Sequence, residues 1–96
     1  MSRADCFKVT ESDWTIYHIA QLKERYLTLI TERGELGLDL DAVESIDTAG
    51  IQLLLFLGTE ARRSGKDFSV VSASAPVRNL VELFGVEEVL MLEGCA

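Results

Sequence analysis

The residues best suited to chemistry lie in one run, Val43-Glu44-Ser45-Ile46-Asp47-Thr48-Ala49-Gly50-Ile51-Gln52-Leu53-Leu54-Leu55, where a carboxylate and a hydroxyl lead directly into an apolar segment. Asp and Thr are favoured at a helix N-cap, where a side-chain oxygen accepts a backbone N–H that has no partner inside the helix. The positive end of the helix dipole also accommodates an anion such as a phosphate. The Thr48 hydroxyl therefore reads as a cap, as a phosphorylation site, or as both. Asp47 reads either as an acceptor that positions this hydroxyl or as a cap in its own right. Gly50 permits a close backbone approach or relieves crowding in the first turn.

Other candidates carry less. His18 is the single histidine, and no Ser or Cys stands at a spacing that would make it the base for a nucleophile. It reads as an ordinary surface or partly buried residue. Asp39, Asp41 and Asp47 could form an aspartate phosphoacceptor or a magnesium cluster, but carboxylates at strand ends more often cap turns. Gly34, Gly37 and Gly65 stand alone, so no glycine-rich phosphate loop is present. Cys6 and Cys95 read as incidental free thiols, and one His without paired Cys spacing argues against zinc. No metal, cofactor or catalysis is expected; an enzyme would need a pocket lined by titratable groups.

Several elements must position the central run. Cys6 to Thr10 alternates as an edge strand, and Glu11-Ser12-Asp13 has the composition of a turn. From Thr15 to Thr31 the period changes: Ile19, Leu22, Tyr26, Leu29 and Ile30 recur at spacings of three and four, which predicts an amphipathic helix ending before Gly34. Trp14 to Tyr17 either extend a preceding strand or lead this helix in. Leu36 to Leu40 forms a central strand, with Val43 and Ile46 continuing its apolar content. The central helix runs from Thr48 or Ala49 to Arg63, closed by Ser64-Gly65-Lys66 with basic residues near the negative end of its dipole. Phe68 to Val71 is a further strand. Ser74 reads as an N-cap with Pro76 in the first turn, followed by the apolar stripe Val77, Leu80, Val81 and Phe84 up to Gly85. Val86 to Leu90 is a short final helical turn. This alternation of strands and helices predicts parallel pairs with helices packed on them.

The central helix carries more apolar surface than one buried stripe requires. Ile51, Leu54, Leu55 and Gly58 share the face expected to meet the sheet, whereas Leu53, Phe56 and Leu57 point progressively around the cylinder. Either neighbouring helices sandwich this element, or one edge of it is a patch for a partner or a second copy.

Size and charge narrow the classes. Ninety-six residues form one domain, spanning 1–96 with a core of about 6–92. At 48% hydrophobic, with one Pro, the chain is expected to fold. Nine Lys+Arg against 16 Asp+Glu give a net charge of -7, which repels nucleic acid and anionic membranes. The longest apolar run, Leu53 to Gly58, is far short of the roughly 20 residues that cross a bilayer. Met1 to Asp5 has no apolar signal core, so a cytoplasmic protein is expected.

The run Asp47 to Leu55, preceded by Leu38-Asp39-Leu40 and followed by Ser74-Ala75-Pro76-Val77-Arg78-Asn79-Leu80 and Phe84-Gly85-Val86, resembles a STAS domain. The likeness extends from roughly Val9 to Leu90. It implies an α/β fold: a single STAS-like domain whose mixed β-sheet has helices packed against it. STAS domains include anti-sigma-factor antagonists, a small subunit of bacterial lipid-transport ABC complexes, chemotaxis-associated regulators and the tails of sulfate transporters. The antagonist pattern implies that Thr48 is phosphorylated by a serine/threonine kinase with a histidine-kinase-like ATPase fold, and that phosphorylation releases the partner. The partner in that reading is such a kinase or an anti-sigma factor; in the lipid-transport reading it is an ABC ATPase. The docking region implied is Asp47–Leu57, with Asp47, Thr48, Ala49, Gly50, Gln52, Leu53, Phe56 and Leu57 as contacts, and a homodimer is the further option. Two features depart from the antagonist pattern. Ala49 stands where many antagonists carry a second hydroxyl, and Glu11-Ser12-Asp13-Trp14 replaces the usual Gly-Glu-apolar-Asp lead into the first helix.

Overall fold

The structure, a computed structural model, describes residues 6–33 and 35–90; Cys95 lies outside them. Nine elements follow in order: β1 (Cys6–Lys8), β2 (Asp13–Trp14), α1 (Ile19–Glu32), β3 (Glu35–Leu40), β4 (Ser45–Ile46), α2 (Thr48–Arg63), β5 (Asp67–Ala73), α3 (Ala75–Phe84) and α4 (Glu87–Leu90). β3 is central between β1 and β5, and a separate short pair joins β2 to β4. All of these pairings are parallel. The β3–β5 register shifts between Leu38 and Asp39, so Leu38 faces Val70 while Asp39 faces Ser72.

The period of two along the strands gives the sheet one fully buried side. Leu36, Leu38 and Leu40 of β3 are buried with Phe68 and Val70 of β5, whereas Gly37, Asp39, Ser69 and Val71 are half-buried. Leu22, Tyr26 and Ile30 of α1 join them in one core with Ile51, Leu53, Leu54, Leu57 and Ala61 of α2 and Val77 and Val81 of α3. The predicted face of α2 is partly corrected here. Ile51, Leu54 and Gly58 are buried as expected, but Leu55 is only half-buried, and Leu53 and Leu57 take its place inside. Both join the core shared with α1, α3 and the sheet, so α2 is covered on more than one side.

The first helix begins four residues later than Thr15. The Asp13 carboxylate captures the Thr15 amide at 3.0 Å and its hydroxyl at 2.6 Å, and the His18 amide donates to the Thr15 carbonyl at 2.9 Å. Such a local side-chain acceptor competes with helix formation and leaves 15–18 as a turn. Trp14 belongs to the strand before it, fully buried, with its ring 5.3 Å from that of Tyr26. Tyr26 in turn donates its hydroxyl to Glu11 at 2.7 Å. Burial, followed by the charge and hydrogen bond of Glu11, pushes the ionisation of that phenol well above its usual range.

Two terminal residues serve other partners than their spacing suggests. The Lys66 amide closes α2 on the Ala61 carbonyl at 2.8 Å, but its ammonium donates to the Ile30 and Thr31 carbonyls at 2.7 and 2.9 Å, closing the C-terminus of α1. Ser74 stands at the N-cap of α3 but sends its hydroxyl to the Val43 carbonyl at 2.6 Å, tying α3 to the segment before α2. Gly85, at φ 66°, supplies the left-handed residue that ends α3.

Candidate functional site at the start of α2

Asp47 is the N-cap of α2, with extended backbone at φ -127° and ψ -169°. Its Oδ1 accepts from the Gly50 amide at 3.2 Å. Its Oδ2 accepts from the Ile16 amide at 3.1 Å, so one carboxylate joins the helix to the 15–18 turn. The cap is therefore Asp47, and Thr48 occupies the first helical position with an exposed side chain. Of the two roles open to Thr48, capping belongs to its neighbour.

Gly50 is buried, and its role is steric. A Cβ at this position would lie 2.3 Å from the Trp14 carbonyl oxygen and 2.6 Å from Ile46 Cγ1. The end of β2, β4 and the first turn of α2 thus meet in close contact only because residue 50 has no side chain. Ser12 reinforces the junction, its carbonyl accepting from the Glu44 and Ser45 amides at 2.8 and 3.0 Å.

Two shallow apolar grooves lie along the first turns of α2. One, of about 280 Å³, lies between α1 and α2 and is lined by Ile16, Ile19, Lys23, Ala49, Gln52, Leu53 and Phe56. The other, of about 170 Å³, lies toward α3 and is lined by Thr48, Ile51, Gln52, Leu55, Phe84 and Val86. Gln52 is exposed on the ridge they share. Apolar side chains stay in water around them: Ile16 is 59% exposed, Tyr17 87% and Phe84 43%. Lys23 Nζ sits 4.6 Å from the Phe56 ring centroid, the one charged group among the residues of the first groove.

Of the eight residues assigned to docking, Thr48 and Gln52 are exposed, and Asp47, Ala49 and Phe56 are half-exposed. Leu57 must be withdrawn as a contact, because it is 0% exposed within the core. Leu53, 4% exposed, contributes only the floor of the groove, and Gly50 acts through packing. Ile16, Ile19, Lys23, Phe84 and Val86 complete the surface, and the sequence reading missed them. A signal was present in the adjacent β-formers Ile16 and Tyr17, whose pattern suits a strand end and a helix lead-in equally. Phe84 looked like part of a buried stripe, yet only Val77 and Val81 of that stripe are fully buried.

A third, polar cleft of about 380 Å³ is lined by Glu11, Ser12, Asp13, His18, Gln21, Leu22 and Arg25. Its titratable groups are engaged with one another. Glu11 accepts from Tyr26 and pairs with Arg25 at 3.2 Å, and His18 Nε2 lies 3.5 Å from Asp13. The Thr15 hydroxyl is the main influence holding the Asp13 carboxyl below its usual range. The three aspartates once grouped together are separated in their tasks. Asp39 accepts from the Asp41 amide at 3.0 Å, Asp41 accepts from Ser72 at 2.7 Å, and Asp47 caps α2.

The α/β domain, with helices packed on parallel strands, belongs to a recognisable class: residues 9–93 match the family described as Mlab, STAS domain. The chain belongs to the STAS family. Among solved structures it is similar to the anti-sigma factor antagonist SpoIIAA in its unphosphorylated form. The TM-score is 0.71 at 14% identity, over 94% of this chain and 79% of that one, a likeness of fold. Among the described residues, no helix is long and apolar enough to cross a membrane.

Proposed function

We propose that this protein is a cytoplasmic, non-catalytic regulatory module that docks on a protein partner through the start of α2, with Thr48 as the hydroxyl that switches docking. The observation that carries this reading is the position of Thr48: exposed, free of the capping role, and in the wall of an apolar groove toward α3. Docking would bury Gln52, Phe56, Ile16 and Phe84 together. A phosphate on Thr48 would bring roughly -1.5 to -2 charges into that apolar surface and oppose its desolvation. The partner is an anti-sigma factor or a serine/threonine kinase with a histidine-kinase-like ATPase fold, by analogy with the antagonist fold. Incubation with such a kinase and ATP, followed by intact-mass analysis, tests the switch. Gain of one phosphate by the wild type and none by Thr48→Ala is expected; no gain on the wild type removes it.

A second reading is supported by the family description matched over 9–93 and by Ala49, which follows Thr48 where many antagonists have another hydroxyl. In it the same surface binds the ATPase of a lipid-transport ABC complex without phosphorylation. Purification with that ATPase, disrupted by Gln52→Arg and indifferent to kinase treatment, is its expected signature. Co-elution that survives Gln52→Arg speaks against it.

A further inference from the structure

We propose that Asp47 is a positioning residue that couples the charge at position 48 to the Ile16–Tyr17 turn, so that an anion on Thr48 releases one wall of the α1–α2 groove. The two bonds of its carboxylate reach residues 31 positions apart in Ile16 and three in Gly50. Within the turn, Asp13 holds Thr15 and the His18 amide closes on the Thr15 carbonyl. The Ile16 amide is held from outside, by Asp47. Behind the turn, Trp14 is pinned: it pairs with Ile46 and its carbonyl abuts Gly50. Movement is therefore confined to the outer part of the turn, where Ile16 and Tyr17 bury little apolar surface and lose little by shifting.

Thr48 adjoins Asp47 at the same helix end. An anion on its side chain is attracted by the same first-turn amides and repels the carboxylate that already uses one of them. The weaker attachment is the solvent-exposed one to Ile16, since the Gly50 amide lies at the dipole's positive end. Once that bond yields to water, Ile16 no longer stands fixed against Ala49 and Phe56, with which it lines the groove. The groove then changes shape as well as charge. Its consequence for affinity rests on the docking reading above, whereas the coupling itself belongs to the isolated domain.

Amide hydrogen exchange followed by NMR on the 15N-labelled chain tests it directly. In Thr48→Glu the Ile16 amide should exchange roughly tenfold faster than in the wild type, with the core amides of Leu38 and Leu54 unchanged. Thr48→Gln, matched in size but neutral, should leave Ile16 at the wild-type rate. An unaltered Ile16 amide in Thr48→Glu, or equal acceleration in Thr48→Gln, overturns the coupling. If Thr48→Glu frees the turn yet binds the partner as tightly as the wild type, the coupling stands and the docking reading falls. If binding is lost while the Ile16 amide is unaltered, docking stands and the coupling falls.

Discussion

At the scale of single residues, Gly50 is the least replaceable position near the site. Gly50→Ala would drive a methyl against the Trp14 carbonyl, which is backbone and cannot rotate away. A loss of about 3 kcal/mol is expected, at the upper end of overpacking effects, and denaturant unfolding will measure it. Tyr26 gives a second residue-level prediction. Its phenol ionises well above the ordinary value because the folded state buries it and bonds it to Glu11. A folded pKa above the unfolded one contributes stability that is complete below about pH 10 and declines as pH rises beyond it. Tyr26→Phe should cost about 1 kcal/mol at neutral pH and flatten this alkaline decline in unfolding curves taken from pH 7 to pH 11. The carboxylate–hydroxyl pair at 47 and 48 was legible from residue types alone. The division of labour between them was not, because either side chain satisfies the preference for an N-cap and only backbone geometry assigns it.

At the scale of elements, the sequence pattern located α2, α3, β3 and β5 because each is an apolar segment bounded by turn or cap residues. It left the start of α1 open because Asp13 decides it through a side-chain bond that periodicity does not contain. It also mistook the outward arc of α2: the burial of Leu53 and Leu57 in a core shared with α1, α3 and the sheet is a tertiary fact. Long-range ties of this kind generate the next predictions. Asp47→Ala removes the cap of α2 and the acceptor for Ile16, and should cost about 0.5–2 kcal/mol in thermal or denaturant unfolding. Lys66→Met removes the ammonium that closes α1 through the Ile30 and Thr31 carbonyls. About 0.3–1 kcal/mol is expected, with faster exchange confined to the last turn of α1 rather than α2. Exchange confined to α2 instead would return Lys66 to the role its place in sequence suggests.

At the scale of the whole molecule, the proposed docking surface is an apolar region on a chain of net charge -7. Binding to the partner should weaken at least tenfold in Thr48→Glu and be retained in Thr48→Ala, as read by calorimetry. Equal affinity for all three forms would remove the switch. The parallel architecture has a further consequence, for the order in which the chain acquires structure. None of the described strands reaches its neighbour through a hairpin: β1 meets β3 across α1, and β3 meets β5 across α2. Pairing must therefore wait for the intervening helix to close a long loop, so local zipping is unavailable and folding belongs to the slower, high-contact-order regime. During synthesis the flank of β3 that β5 will occupy stays open until Asp67 to Ala73 have left the ribosome. A nascent chain stalled in α2 thus presents an unpaired strand edge beside an uncovered leucine-rich helix, the combination that recruits chaperones and invites aggregation.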